Sequence, residues 1–205
     1  MAEPVKERGM AHTNRKQAGM TLVELMIAMV VLAVGMAGVL LMITSGIASN
    51  NRNRLDTGAT NISQLVMEAI VSKPAGSNPI ITLQDCRPAA LGGPQNLQIN
   101  TAGAAGPAGA GALITNPLAG GNGNIDWTGQ AQAAVPAQYG MLYYACGTQG
   151  RQIAYEVRVN IIAPAINVAG APSKIVTVSS RKSGAVAGDI RTFAPPVTLR
   201  GYSGR

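Results

Sequence analysis

The chain is poor in the residues that build large cores and catalytic sites. Aromatics make up 3% of its 205 residues: five Tyr, Trp127 and Phe193. Any core must therefore be packed from small side chains, Ala, Gly, Val and Ile, with few large anchors. His12 is the only histidine, so a Ser-His-Asp site has one residue to draw on, within the first dozen positions. The nine carboxylates are scattered. There is no phosphate-binding glycine loop, no HExxH and no cysteine pair at zinc spacing. No enzymatic activity, metal or cofactor is expected. Only Cys86 and Cys146 carry thiols. In a reducing compartment they read as free thiols, and beyond an export signal as a disulfide.

Charge is unevenly spread. The formal net charge is +7. Residues 1–19 hold Lys6, Arg8, Arg15 and Lys16 against Glu3 and Glu7. The segment from Arg151 to Arg205 holds Arg151, Arg158, Lys174, Arg181, Lys182, Arg191, Arg200 and Arg205 against Glu156 and Asp189. Such a cluster is a solvated basic surface in the plain reading. In the sharper one it attracts a polyanion, DNA or anionic lipid.

One long apolar run dominates what is present. From Leu25 to Ile43 the sequence LMIAMVVLAVGMAGVLLMI is uncharged. At ~1.5 Å per residue it spans about 29 Å, the hydrocarbon thickness of a bilayer. The hydrophobic part of a secretory signal is shorter and ends at a small-x-small site, which only Ser45-Gly46-Ile47-Ala48 imitates. The basic residues ahead of the run favour a cytoplasmic N-terminus; Arg52 and Arg54 beyond it weaken that bias without reversing it. Glu24 stands at the head of the run. A carboxylate there is either an interfacial group favourable at a helix N-terminus or a partnered functional group. Gly35 and Gly38 are ordinary in membrane helices, and with Ala33 and Ala37 permit close helix contact. No proline lies between Met20 and Lys73, so no kink is expected.

A short basic leader, then Gly19, Met20, Thr21, Leu22, Val23, Glu24 and a long apolar run, resembles the class III signal of type IV pilins and type II secretion pseudopilins over about residues 15–72. The resemblance implies cleavage by prepilin peptidase between Gly19 and Met20, with N-methylation of Met20; most relatives have phenylalanine where this chain has Met20. It implies that Glu24 pairs, during assembly, with the Met20 amine of a neighbouring subunit. Such an attraction is strong at low dielectric, and a missing partner is heavily penalised. It also implies a type IV pilin-like α+β fold, a long N-terminal helix packed on a small antiparallel sheet. The partners implied are prepilin peptidase, other pilin subunits, the pilus assembly platform and, before assembly, the inner membrane. The location implied is a single inner-membrane pass, then a periplasmic or surface filament. With that exterior location a Cys86–Cys146 disulfide is expected, closing about 60 residues and stabilising by roughly 4 kcal/mol.

The regions follow. Residues 1–19 form the leader, and residues 20–46 the membrane and filament-core half of the helix. Residues 47–73 form its amphipathic half, where Leu55, Ala59, Ile62, Val66 and Ala69 make one apolar stripe. Lys73-Pro74 and Gly76 stop it. Residues 74–138, rich in Gly, Ala and Pro, are expected to be an irregular variable region, with Trp127 plugging the core. Residues 139–205 are expected to hold an antiparallel meander. Its strands are Tyr139–Ala145, a half-buried strand alternating from Ile153 to Ile161, Lys174–Ser180, and a short edge strand near Val197–Leu199 behind Pro195 and Pro196.

Four functions remain open on the sequence: a type IV pilus subunit, most like a minor pilin of the pilus-modification group; a type II secretion pseudopilin; a DNA-binding minor pilin, with Arg151, Arg158, Lys174, Arg181 and Lys182 as a phosphate-tracking surface; and a plain signal-anchored envelope protein.

Overall fold

The apolar run and the apolar stripe that follows it form one helix, α1, Leu22–Val71. A computed structural model describes residues 20–73, 79–115, 123–146, 153–163, 173–184 and 195–204. The leader, Pro74, Gly76, Arg151, Asp189, Arg191 and Arg205 lie outside these residues. The chain divides into two units, Met1–Ile47 and Ala48–Arg205.

In the first unit every described residue, 20–47, is exposed. The segment is long and apolar enough to cross a membrane by length and composition.

The second unit is α+β. Among its described residues the strands are β1 Ile80–Gln84, β2 Asn96–Asn100, β3 Ala110–Gly111, β4 Ile114–Thr115, β5 Asn124–Ile125, β6 Gly140–Tyr144, β7 Ala154–Ile162, β8 Ser173–Lys182 and β9 Val197–Gly204. β6, β7, β8 and β9 pair in succession, all antiparallel. β3 joins the edge of β7 that β6 also uses, and β9 ends the sheet. β1 pairs with β2, and β4 with β5, as two separate ribbons. The meander is as expected, with one difference: β9 runs eight residues, because Pro195 and Pro196 stand just before its first ladder position and leave the rest free to pair.

One face of the sheet packs on α1. Leu55, Ala59, Ile62, Ser63, Val66 and Ile70 are buried on the helix; Ala59, Ile62, Val66 and Ile70 share one apolar cluster with Tyr155, Val157, Val159, Ile161, Val176 and Val178. The stripe runs as expected through Val66; beyond it Ile70 is the buried residue and Ala69 only half-buried. Gly58 has a specific cause. A Cβ there would collide with the Tyr155 hydroxyl, which reaches back toward the Leu55 carbonyl.

The opposite face overturns an expectation. Alternation marks β7 as half-buried, yet Arg158 and Asn160 on its polar face are buried, as are Thr177 and Ser179 opposite them on β8. The cover comes from the described residues of 101–115 and 123–138, part of the region expected to be irregular. Asn160 Nδ2 donates to the carbonyls of Ala108 and Ala112, both at 2.8 Å. Gly111, at φ 110°, lets β3 approach so closely that a Cβ would strike the Val159 carbonyl and the Tyr139 ring. The described residues of this region form a two-residue strand on the edge of β7, β3, and a separate two-residue ribbon, β4–β5, elements too short to show a period.

Candidate functional site

The signal-like residues come first. Met20 and Thr21 precede α1, and Leu22 begins it. The Glu24 amide donates to Thr21 Oγ1 at 3.3 Å, and the Leu25 amide to the Thr21 carbonyl at 3.2 Å. Thr21 is therefore the N-cap. Thr21-Leu22-Val23-Glu24 has the spacing of a capping box, a signal that sequence reading passed over by attending only to Glu24. Only the threonine half of the box is made. The Glu24 carboxylate stays exposed in the first turn, with no ion pair among the described residues. It lies where the helix dipole favours negative charge. Gly19 is outside the described residues.

Cys86 and Cys146 are bonded, with Cα atoms 5.0 Å apart. The bond links the second residue beyond β1 to the second residue beyond β6, where the Cys86 amide also donates to the Tyr144 carbonyl at 3.0 Å. Beside it Asp85 is buried. Its Oδ1 accepts the Gln95 amide at 2.7 Å. Its Oδ2 stands 3.4 Å from Arg87 Nε, an ion-pair distance without hydrogen-bond geometry. Arg87 lies over the Tyr144 ring, 4.9 Å from its centroid.

The basic surface expected between Arg151 and Lys182 is corrected. Arg158 is wholly buried. Its Nε donates to Gln132 Oε1 at 3.0 Å and its NH1 to the Asp126 carbonyl at 2.7 Å. Burial, then the neighbouring Arg181, pull its pKa below the usual arginine value; Glu156 and Asp126 oppose them. Arg181 grips Glu156 Oε2 through Nε at 3.0 Å and NH2 at 2.8 Å. Lys174 Nζ donates to the Thr101 carbonyl at 2.9 Å. Arg151 lies outside the described residues.

Sequence reading also missed what organises this face. Trp127, expected as a core plug, is half-buried and carries two guanidinium groups, Arg158 at 4.2 Å and Arg181 at 4.4 Å from the ring. Its Nε1 donates to Ser179 Oγ at 2.9 Å. The turn that aims it is closed by Asp126, whose Oδ1 accepts the Thr128 amide, the Thr128 hydroxyl and the Gly129 amide at 2.8–2.9 Å. Those bonds, the one from Gly129 foremost, hold the Asp126 pKa below its ordinary 3.8. A lone tryptophan and two arginines one strand apart were the available signal. Their partnership is non-local and leaves no spacing in the sequence.

Residues 14–40 match the family described as the prokaryotic N-terminal methylation motif. The match spans the end of the leader, the Gly19–Glu24 signal and most of the apolar run, and it supports a processed subunit of pilin or pseudopilin type. No curated protein and no solved structure matches the chain.

Proposed function

We propose that the chain is a structural subunit, of the minor class, of a type IV pilus. Prepilin peptidase cuts between Gly19 and Met20, and the new Met20 amine is methylated. The N-terminus begins in the cytoplasm, with residues 25–43 across the inner membrane. The assembly platform then moves the subunit from bilayer to filament.

The observation that carries this reading is the coincidence, within six residues, of the methylation motif with a capped helix start and an unpaired carboxylate. Processing creates a positive amine four residues before Glu24, and a neighbour's amine can neutralise that carboxylate. In low dielectric an unmatched Glu24 costs several kcal/mol, so the pair selects one axial step between subunits. The glycines and alanines of the run allow neighbouring helices to approach.

Mass spectrometry of the purified chain from its native host tests the processing: the N-terminal peptide should begin at N-methylated Met20. A start at Met1, or after Ala48, overturns the reading. Assembly is tested by Glu24→Ala, which should leave membrane insertion intact and lower recovery in sheared surface filaments. Recovery equal to that of the unaltered chain removes Glu24 from the role. Absence of the unaltered chain from sheared filaments, with processing intact, removes the pilus assignment.

A further inference from the structure

Among the described residues, three cations outside any ion pair lie toward the end of the second unit at which its share of α1 begins. Arg52 and Arg54 are exposed on α1, shortly beyond Ile47. Lys182 closes β8, half-exposed, opposite Tyr155 in register. The register locates it along the helix. Ser180, two residues earlier on the same face of β8, donates to the Ala59 carbonyl at 2.7 Å. Tyr155, opposite Lys182, reaches the Leu55 carbonyl. Moving from Ser180 to Lys182 therefore moves along α1 from the level of Ala59 to the turn that holds Arg52 and Arg54. None of the three cations is in an ion pair among the described residues. Arg181 and Glu156 at this end neutralise each other. Asp56 lies in the same turn of α1 as Arg54, and the two act with opposite sign on Tyr155.

These charges sit on the side of the apolar run where topology disfavours them. Basic residues flanking a span bias it toward the cytoplasm, and Arg52 and Arg54 oppose the bias of the leader. Long cationic side chains close to the end of a membrane helix reach headgroup phosphates by extending along their aliphatic stems. We propose that Arg52, Arg54 and Lys182 form a docking surface for anionic phospholipid headgroups, holding the folded unit against the leaflet from which α1 emerges. The inference rests on the reading of α1 as a membrane-spanning anchor. The alternative polyanion, DNA, is less suited: three cations at one end of the unit give no path along a phosphate backbone.

The test uses the full chain in lipid nanodiscs of phosphatidylcholine alone or with phosphatidylglycerol. The rate of Lys182 acylation by a water-soluble succinimidyl ester is followed by peptide mass spectrometry, with exposed Lys73 at the other end of α1 as internal reference. Phosphatidylglycerol should slow Lys182 relative to Lys73 by about fivefold. The protection should vanish in the R52Q/R54Q double variant, and at about 1 M salt, where screening falls to ~3 Å. Equal rates in both lipids, or protection unchanged in the double variant, overturn the proposal. Equal protection by duplex DNA added to neutral discs overturns it in favour of a general polyanion surface. A chain that enters neither disc overturns the membrane reading itself, and this inference with it.

Discussion

The hydroxyls of Ser63 on α1 and Ser180 on β8 meet 2.8 Å apart, with neither residue exposed to solvent. Ser180 donates to the Ala59 carbonyl, so the proton between the two serines belongs to Ser63. Their roles are thus unequal. Ser180→Ala leaves the Ser63 hydroxyl buried without its acceptor and should cost about 1–3 kcal/mol, whereas Ser63→Ala leaves Ser180 satisfied and should cost about 1 kcal/mol or less. Urea unfolding of the two variants in detergent decides it; equal losses would contradict the assigned proton.

Gly58 is matched to Tyr155. Alanine is the better helix former by about 1 kcal/mol, yet Gly58→Ala should destabilise by about 1–3 kcal/mol because its methyl meets the Tyr155 hydroxyl. Tyr155→Phe removes that oxygen. The double variant should therefore recover part of the loss, and melting curves that show strict additivity would discount the clash.

Arg158 is held by packing as much as by charge. Arg158→Ala opens a cavity beneath Trp127 and strips Gln132 of its partner, with an expected cost of about 3–5 kcal/mol. Arg158→Met keeps most of the volume and discards the buried charge, so it should cost less than half as much. The near-ultraviolet circular dichroism band of Trp127 should collapse in the first variant and persist in the second.

Asp126 makes the turn beneath Trp127 acid-sensitive. Its folded pKa is lowered by the Gly129 and Thr128 hydrogen bonds. It therefore contributes stability above the unfolded value of about 3.8, and the contribution is lost as pH falls below that value through the folded one. Trp127 fluorescence should report a transition below pH 3.8 that Asp126→Asn, which cannot titrate, lacks.

The elements legible in the sequence were those with a period. Leu55, Ala59, Ile62 and Val66 announce the docked face of α1, and Tyr155, Val157, Val159 and Ile161 the inner face of β7. The outer face was not legible. Arg158 and Asn160 have the polarity of solvent-facing residues, and non-local contacts from the described residues of 101–115 and 123–138 bury them. The segments that do so, Ala110–Gly111, Ile114–Thr115 and Asn124–Ile125, are too short to carry alternation. At the N-terminus the signal was local: Thr21 and Glu24 lie three residues apart, and the threonine cap follows from that spacing.

The bond between Cys86 and Cys146 also has a mechanical consequence. A pull on the second unit from the helix would extend whatever chain lies free between attachment points. The bond bypasses sixty residues, a contour of about 200 Å when fully drawn out. That length cannot be paid out while the sulfurs stay joined. Under tension, β2 and the stretch carrying Trp127 would stay within the closed loop, while β1 and the strands beyond Cys146 took up the extension.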